Sequence, residues 1–210
     1  STDPEIIRVF TRAIEDLRYQ GAIIIDPGVV EGLDQIKRPQ GMGACGGFKY
    51  DINRYLASHG DRVPVKSLAE IVKSGRFHPT VRRQLEQGEQ GAENGPDSPE
   101  CKADAQYRQQ VRDAVTKTMD ALKLDAWIYP TWSNPPRLIG DLNTAHGDNS
   151  QFFSPTTGFP AIQVPMGYTR GGRLPAGITF FGRAWSEPTL IKLAYAYEQA
   201  TRHRRAPGST

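Results

Sequence analysis

SPTTGFPAIQVPMGYTRGGRLPAGITFFGRAWSEPTLIKLAYAY, running from Ser154 to Tyr197, encodes strand, tight turn, strand and helix without interruption. Ala161, Ile162, Val164 and Met166 form an apolar run broken by Gln163 and Pro165, and Ile178, Phe180 and Phe181 form a second run of β-formers. Between them, Thr169-Arg-Gly-Gly-Arg173 offers two glycines for the positive φ values of a tight hairpin, and Pro175 marks the entry to the second strand. Adjacent antiparallel strands are expected. Ser186 stands where an N-cap belongs, Glu187 and Pro188 suit a first turn, and Leu190, Leu193, Ala194 and Tyr197 recur at helical spacing. A helix packed on a sheet, an α/β layer, follows.

Upstream of this block, Ala126-Trp-Ile-Tyr-Pro130 reads as a short buried strand, and Thr131 to Phe153 reads as a loop rich in Trp, Asn, Pro, Gly and Asp. Thr156, Thr157 and Gly158 read as a turn before the next strand. A long helix is expected from about Lys102 to Leu122, with Tyr107, Val111, Ala114, Val115, Met119 and Leu122 on one core-facing stripe. At the other end of the chain, Asp3 caps a helix opened by Pro4, and Ile6, Phe10, Ala13, Ile14 and Leu17 trace its apolar face before Gly21. A strand is expected at Ala22–Ile25, then a glycine-rich ordered loop to Gly47. A helix over Phe48–Leu56 places Phe48, Ile52, Tyr55 and Leu56 toward a core, and Ser67-Leu-Ala-Glu70 is a capping box opening another. Residues 74–101, interrupted by glycines and prolines, read as a flexible polar connector with one helix after Pro79.

Composition excludes more than it names. A hydrophobic content of 38% with 23% charged residues is ordinary for a globular protein of 210 residues. The net charge of +3 comes from 26 basic and 23 acidic residues, and the one dense basic run, Arg202-His-Arg-Arg205, reads as a polar terminus, so no nucleic-acid partner is expected. No apolar run approaches a membrane span. Cys45 and Cys101 are far apart and lack neighbouring histidines, which argues against a zinc site or a disulfide-rich scaffold. His59, His78, His146 and His203 are scattered, and neither metal nor cofactor is expected. Gly41-Met-Gly-Ala-Cys-Gly-Gly47 lacks the Lys-Ser/Thr ending of a phosphate loop, and Cys45 reads as a small buried residue rather than a nucleophile. His146 and Asp148 enter no catalytic assignment.

TTGFPAIQVPMGY, LPAGITFFGRAW and SEPTLIKLAYAYEQAT, preceded by DALKLDAWIYPTW, FKYDINRYLASHG and STDPEIIRVFTRAIEDLRYQGAIIIDP, resemble in order the end of the amidase signature family of serine amidases. The resemblance implies an α/β fold with a mixed β-sheet flanked by helices on both faces. It implies cleavage of a carboxylic amide through a serine acyl-enzyme, with two serines and a lysine in a Gly/Ser-rich signature. The sequence has no such signature, no Gly-x-Ser-x-Gly and no Ser-x-x-Lys. Residues 1–210 are therefore expected to be the C-terminal portion of one amidase domain, without catalytic residues of their own and inactive alone. The alternative is a catalytically dead, amidase-derived module that pairs with another polypeptide.

In the resembled family the loop after DAWIYP lines the substrate pocket. The candidate substrate-side residues are thus Thr131, Trp132, Asn149, Gln151 and Phe153, joined by Thr156 and Thr157, for which turn chemistry is an equal account. The expected partner is a small-molecule amide, and the compartment stays open between cytoplasm and periplasm. Because such a portion shares its sheet with the rest of the domain, and apolar surface is worth roughly 25 cal/mol per Å², self-association or packing on the remainder is expected.

Overall fold

In the computed structural model the Asp3 carboxylate accepts the Glu5 N–H at 2.8 Å, and Pro4 opens helix α1 (Pro4–Tyr19). The structure describes residues 2–39, 45, 47–141, 143–144 and 150–206, with the backbone alone at 150 and 151. These residues form two compact units: Ser1–Leu33 with Val111–Thr210, and Asp34–Gln110.

The first unit is built on the hairpin. Strand β2 spans Ala161–Thr169 and β3 spans Leu174–Phe181, antiparallel and joined through Gly171 and Gly172 at φ of 67° and 85°. The short strand β1 (Trp127–Pro130) pairs antiparallel with the other edge of β3, giving the order β1-β3-β2. Met166, Ala176, Ile178 and Phe180 point to one face, where Ile6, Ala13 and Leu17 of α1 and Leu190, Ala194 and Tyr197 of the last helix, Glu187–Thr201, close the core. A bulge between Pro165 and Gly167 bends β2 there, and Gly167 adopts φ of 143°. A Cβ on Gly167 would lie 2.9 Å from Val9 Cγ1, so the missing side chain is what lets α1 approach.

The second unit is helical. It holds α2 (Gly47–Ser58), α3 (Leu68–Ser74), α4 (Arg82–Gln90) and the start of α5 (Pro99–Ala121), with 3-10 turns at Gly60–Arg62 and Pro79–Val81. The capping box forms: Ser67 Oγ accepts the Glu70 N–H at 3.2 Å, and the Glu70 carboxylate accepts the Lys66 N–H at 2.8 Å. Cys45 and Cys101 are joined by a disulfide, which corrects the reading of Cys45 as a free buried residue. Their separation in sequence hid a pairing that the fold creates.

Other expectations also change. Ala22–Ile25 is not a strand: it runs beside β1 along a shared cavity but makes no ladder, and Ile23 is 94% exposed. The residue types suit a strand, but strand formation needs a hydrogen-bonded neighbour. Phe48 and Tyr55 are exposed, and Leu56 is the buried side chain of α2, because its unit offers few apolar partners. Leu122 lies beyond the end of α5 and is exposed, while Tyr107, Val111, Val115 and Met119 of the same stripe are buried. Ser186 precedes the last helix, but its Oγ donates to the Arg183 carbonyl at 2.8 Å instead of capping. Arg183 pairs with Asp120 at 2.6 Å and is a structural strand-end residue.

Candidate functional site

The second face of the sheet follows from the two-residue period of the strands. Trp127 and Tyr129 on β1, and Gly177, Thr179 and Phe181 on β3, alternate with the residues that face the core, and Thr179 lies between Tyr129 and Gln163 in register. A helix covers part of this face. Helix α6 spans Ser150–Thr157, so Thr156 and Thr157 close a helix instead of forming the expected turn, and Phe153 lies in that helix instead of the expected loop.

Its C-terminus explains how that sequence becomes helical despite Pro155. Thr157 Oγ1 donates to the Phe153 carbonyl at 2.7 Å and accepts the Phe159 N–H at 3.1 Å, while Gly158, at φ of 71°, donates its N–H to the Ser154 carbonyl at 2.8 Å. Ser154 Oγ donates to the Phe159 carbonyl at 2.8 Å, and Arg112 Nε of α5 reaches the Thr157 carbonyl at 2.6 Å. The Thr157 hydroxyl and a left-handed glycine thus finish a helix whose proline removes a backbone donor. With α6 held, Phe153 lies 5.6 Å from the Phe181 ring and 6.1 Å from the Tyr129 ring.

Thr131 follows Tyr129 by two residues and joins the same face. Its N–H donates to the Gly177 carbonyl at 2.8 Å, and its Oγ1 shares a buried hydrogen bond of 2.8 Å with Thr179 Oγ1. Glycine at 177 makes room for it, since a Cβ there would stand 2.9 Å from Thr131 Oγ1. Trp132 is not brought to this group. It is 48% exposed and lines a cavity of about 240 Å³ with Ile6, Asn134, Pro136, Pro175 and Ala176, which touches the group at Gly177.

Of the sequence candidates, Thr131 lies on the sheet face that Phe153 packs against, Thr156 and Thr157 are buried, with Thr157 closing the helix that carries Phe153, and Trp132 is exposed. Asn149 lies outside the described residues, as do His146 and Asp148, and of Gln151 the backbone alone is described. The sequence reading missed Tyr129, Gly177, Thr179 and Phe181. The signal was present in β3, where small or polar Gly177 and Thr179 alternate with Ala176, Ile178 and Phe180.

Chemically, this face is a neutral wall of rings and hydroxyls, open at the Gln163 edge, which is exposed. Among the described residues, no cluster of His, Cys, Asp or Glu is placed to hold a metal ion. The hydroxyl–imidazole contacts at Ser58–His59 and His78–Thr80 are exposed and local to their own turns. Charge gathers elsewhere, at the hairpin turn. Arg170 there pairs with Asp3 at 2.7 Å and donates its backbone N–H to the Glu5 carboxylate at 2.6 Å. The guanidinium hydrogen bond to Asp3 holds that carboxyl below its usual range, and the Arg170 N–H does the same for Glu5. Asp141 is held at about 2, chiefly by the Thr144 hydroxyl and then by the Thr144 and Asn143 N–H groups.

Comparison with known proteins gives this geometry a context. The sequence profile of the family described as Amidase matches residues 1–191. A probable amidase of Arabidopsis thaliana is 30% identical over 203 residues, 92% of this chain and 36% of that protein. A glutamyl-tRNA(Gln) amidotransferase subunit of Moorella thermoacetica is 28% identical over 222 residues, 98% of this chain and 43% of that protein. Among solved structures, native peptide amidase from Stenotrophomonas maltophilia superposes with a TM-score of 0.67 at 27% identity, over 96% of this chain and 41% of that one. The chain spans less than half the length of these relatives.

Proposed function

The chain belongs to the amidase family, and from that premise we propose that it forms one wall of the substrate pocket of a hydrolase that cleaves carboxylic amide C–N bonds. The observation that carries this reading is the second sheet face, where Phe153 packs on the rings of Tyr129 and Phe181, Thr131 and Thr179 pair beneath the surface, and the Gln163 edge is exposed. A neutral face of this kind binds and orients a substrate; it does not ionise a nucleophile. The Thr131 and Thr179 hydroxyls are committed to each other, which ties β3 to the end of β1.

The chemistry then comes from outside these 210 residues, whose sequence contains no Gly/Ser-rich signature. In this reading a serine supplied there attacks the amide carbonyl, the amine leaves, and water releases the acyl group, with backbone donors stabilising the oxyanion. The 210 residues alone are inactive.

A serine-directed fluorophosphonate probe tests this on the natural gene product. Covalent label is expected on a peptide outside residues 1–210, together with loss of hydrolysis of a simple aryl amide. Label on a serine within 1–210, or probe-sensitive hydrolysis by the 210-residue chain alone, would overturn the assignment. A gene product that is neither labelled nor active would support the second reading, a module that binds without catalysing.

A further inference from the structure

The unit Asp34–Gln110 is poor in the material that usually holds a fold together. Its buried apolar side chains among the described residues are Leu56, Leu68, Cys101 and Tyr107, whereas the other unit buries Ile178, Phe180, Phe181, Leu190, Tyr197 and many more. A unit with so few buried apolar side chains gains from a covalent or metal staple. The cross-link between Cys45 and Cys101, 56 residues apart, is placed to be one. Cys45 lies two residues before α2 and Cys101 lies in the first turn of α5, so α2, α3 and α4 all fall inside the covalent loop. Every helix wholly within the unit is thereby tied at both ends of the segment that contains it.

The non-covalent ties across the loop are modest. Asn53 accepts the Leu68 N–H at 2.8 Å and donates to Glu93 at 3.0 Å, and Lys49 pairs with Glu89 at 3.6 Å. Exposed or half-buried contacts such as Asn53–Glu93 and Lys49–Glu89 hold little against chain entropy. Close packing also marks the cross-link, since a Cβ on Gly47 would stand 3.2 Å from Cys45 Sγ.

We infer that Cys45 and Cys101 form a redox-sensitive clasp on which the folding of the Asp34–Gln110 unit depends. Oxidation proceeds by thiol–disulfide exchange with a disulfide of the glutathione or dithiol-carrier class. A protein thiolate attacks one sulfur of the oxidant and expels the other as a thiolate, and the second protein thiolate then attacks the protein sulfur of the mixed disulfide and expels the remaining oxidant thiolate. Two electrons pass to the oxidant, which leaves as two thiols carrying the two protons. A dithiol reverses the step. Cys101 is 7% exposed, so reduction begins at the less buried Cys45.

The test uses the whole chain, with iodoacetamide mapping and amide hydrogen exchange read by mass spectrometry. Without reductant neither cysteine is alkylated; with dithiothreitol both are, and amides of α2, α3 and α4 exchange at least about tenfold faster while those of α1, β2 and β3 keep their protection. The double variant Cys45→Ser/Cys101→Ser reproduces that local loss without reductant. Alkylation of both native cysteines in the absence of reductant would overturn the clasp. So would unchanged protection of α2, α3 and α4 in the reduced wild-type chain.

Discussion

At the scale of single residues, the pair Thr131–Thr179 is the most informative contact of the candidate site. Both side chains are buried, 4% and 0% exposed, and each hydroxyl is satisfied by the other. Replacing one leaves the other buried without this partner, which costs the desolvation of a polar group, whereas replacing both removes the need. Thr131→Val and Thr179→Val are each expected to destabilise by about 1–2 kcal/mol, and the double variant by less than their sum. Urea unfolding of the four proteins measures this, and strictly additive costs would sink it. Such pairing is not legible in the sequence. Thr131 is marked by its place after a strand, but its partner lies 48 residues away, and no local pattern encodes that register. The disulfide is invisible for the same reason, its two sulfurs being brought together by helices and not by spacing.

At the scale of elements, the sequence reveals what neighbours along the chain decide. The hairpin, the capping box at Ser67 and the start of α1 appear as read, because turn glycines, caps and periodicity act within a few residues. Helix α6 escapes such a reading because Pro155 and the Thr-Thr-Gly run carry turn chemistry, and it takes Arg112, distant in sequence, and Phe153 packing on the sheet to make that chemistry end a helix. A prediction belongs to this scale too. Arg170 of the hairpin turn fastens β2 to the start of α1 through Asp3 and Glu5. Both carboxyls bind protons less readily folded than unfolded, since their folded values lie below 3.8 and 4.5. Stability from this tie is therefore complete above those values and is lost as pH falls through the depressed ones. Asp3→Asn, which keeps a capping side chain but removes the charge, should lower the melting temperature by a few degrees near neutral pH, and the gap to wild type should narrow toward pH ~3. Thermal melts across that range decide it, and an equal gap at both ends would rule the linkage out.

At the scale of the whole molecule, apolar surface is left over in the unit that carries the sheet. Ile23 is 94% exposed, Leu138 80%, Ile139 107% and Trp185 89%. Exposed apolar groups in such number favour association. Sedimentation velocity on the 210-residue chain is accordingly expected to show species heavier than one chain, and a monodisperse monomer would count against it. The same unit has a further property that follows from how its core is assembled. Ile6, Ala13 and Leu17 of α1 find their partners in Met166, Ile178, Phe180, Leu190 and Tyr197, at the opposite end of the chain. A ribosome adding roughly 5–20 residues per second takes on the order of ten seconds between the two. Throughout that interval α1 is already made while these partners of its apolar stripe are not. Swapping synonymous codons to slow translation between residues 34 and 160 would lengthen the wait of α1 for these partners without altering a single side chain.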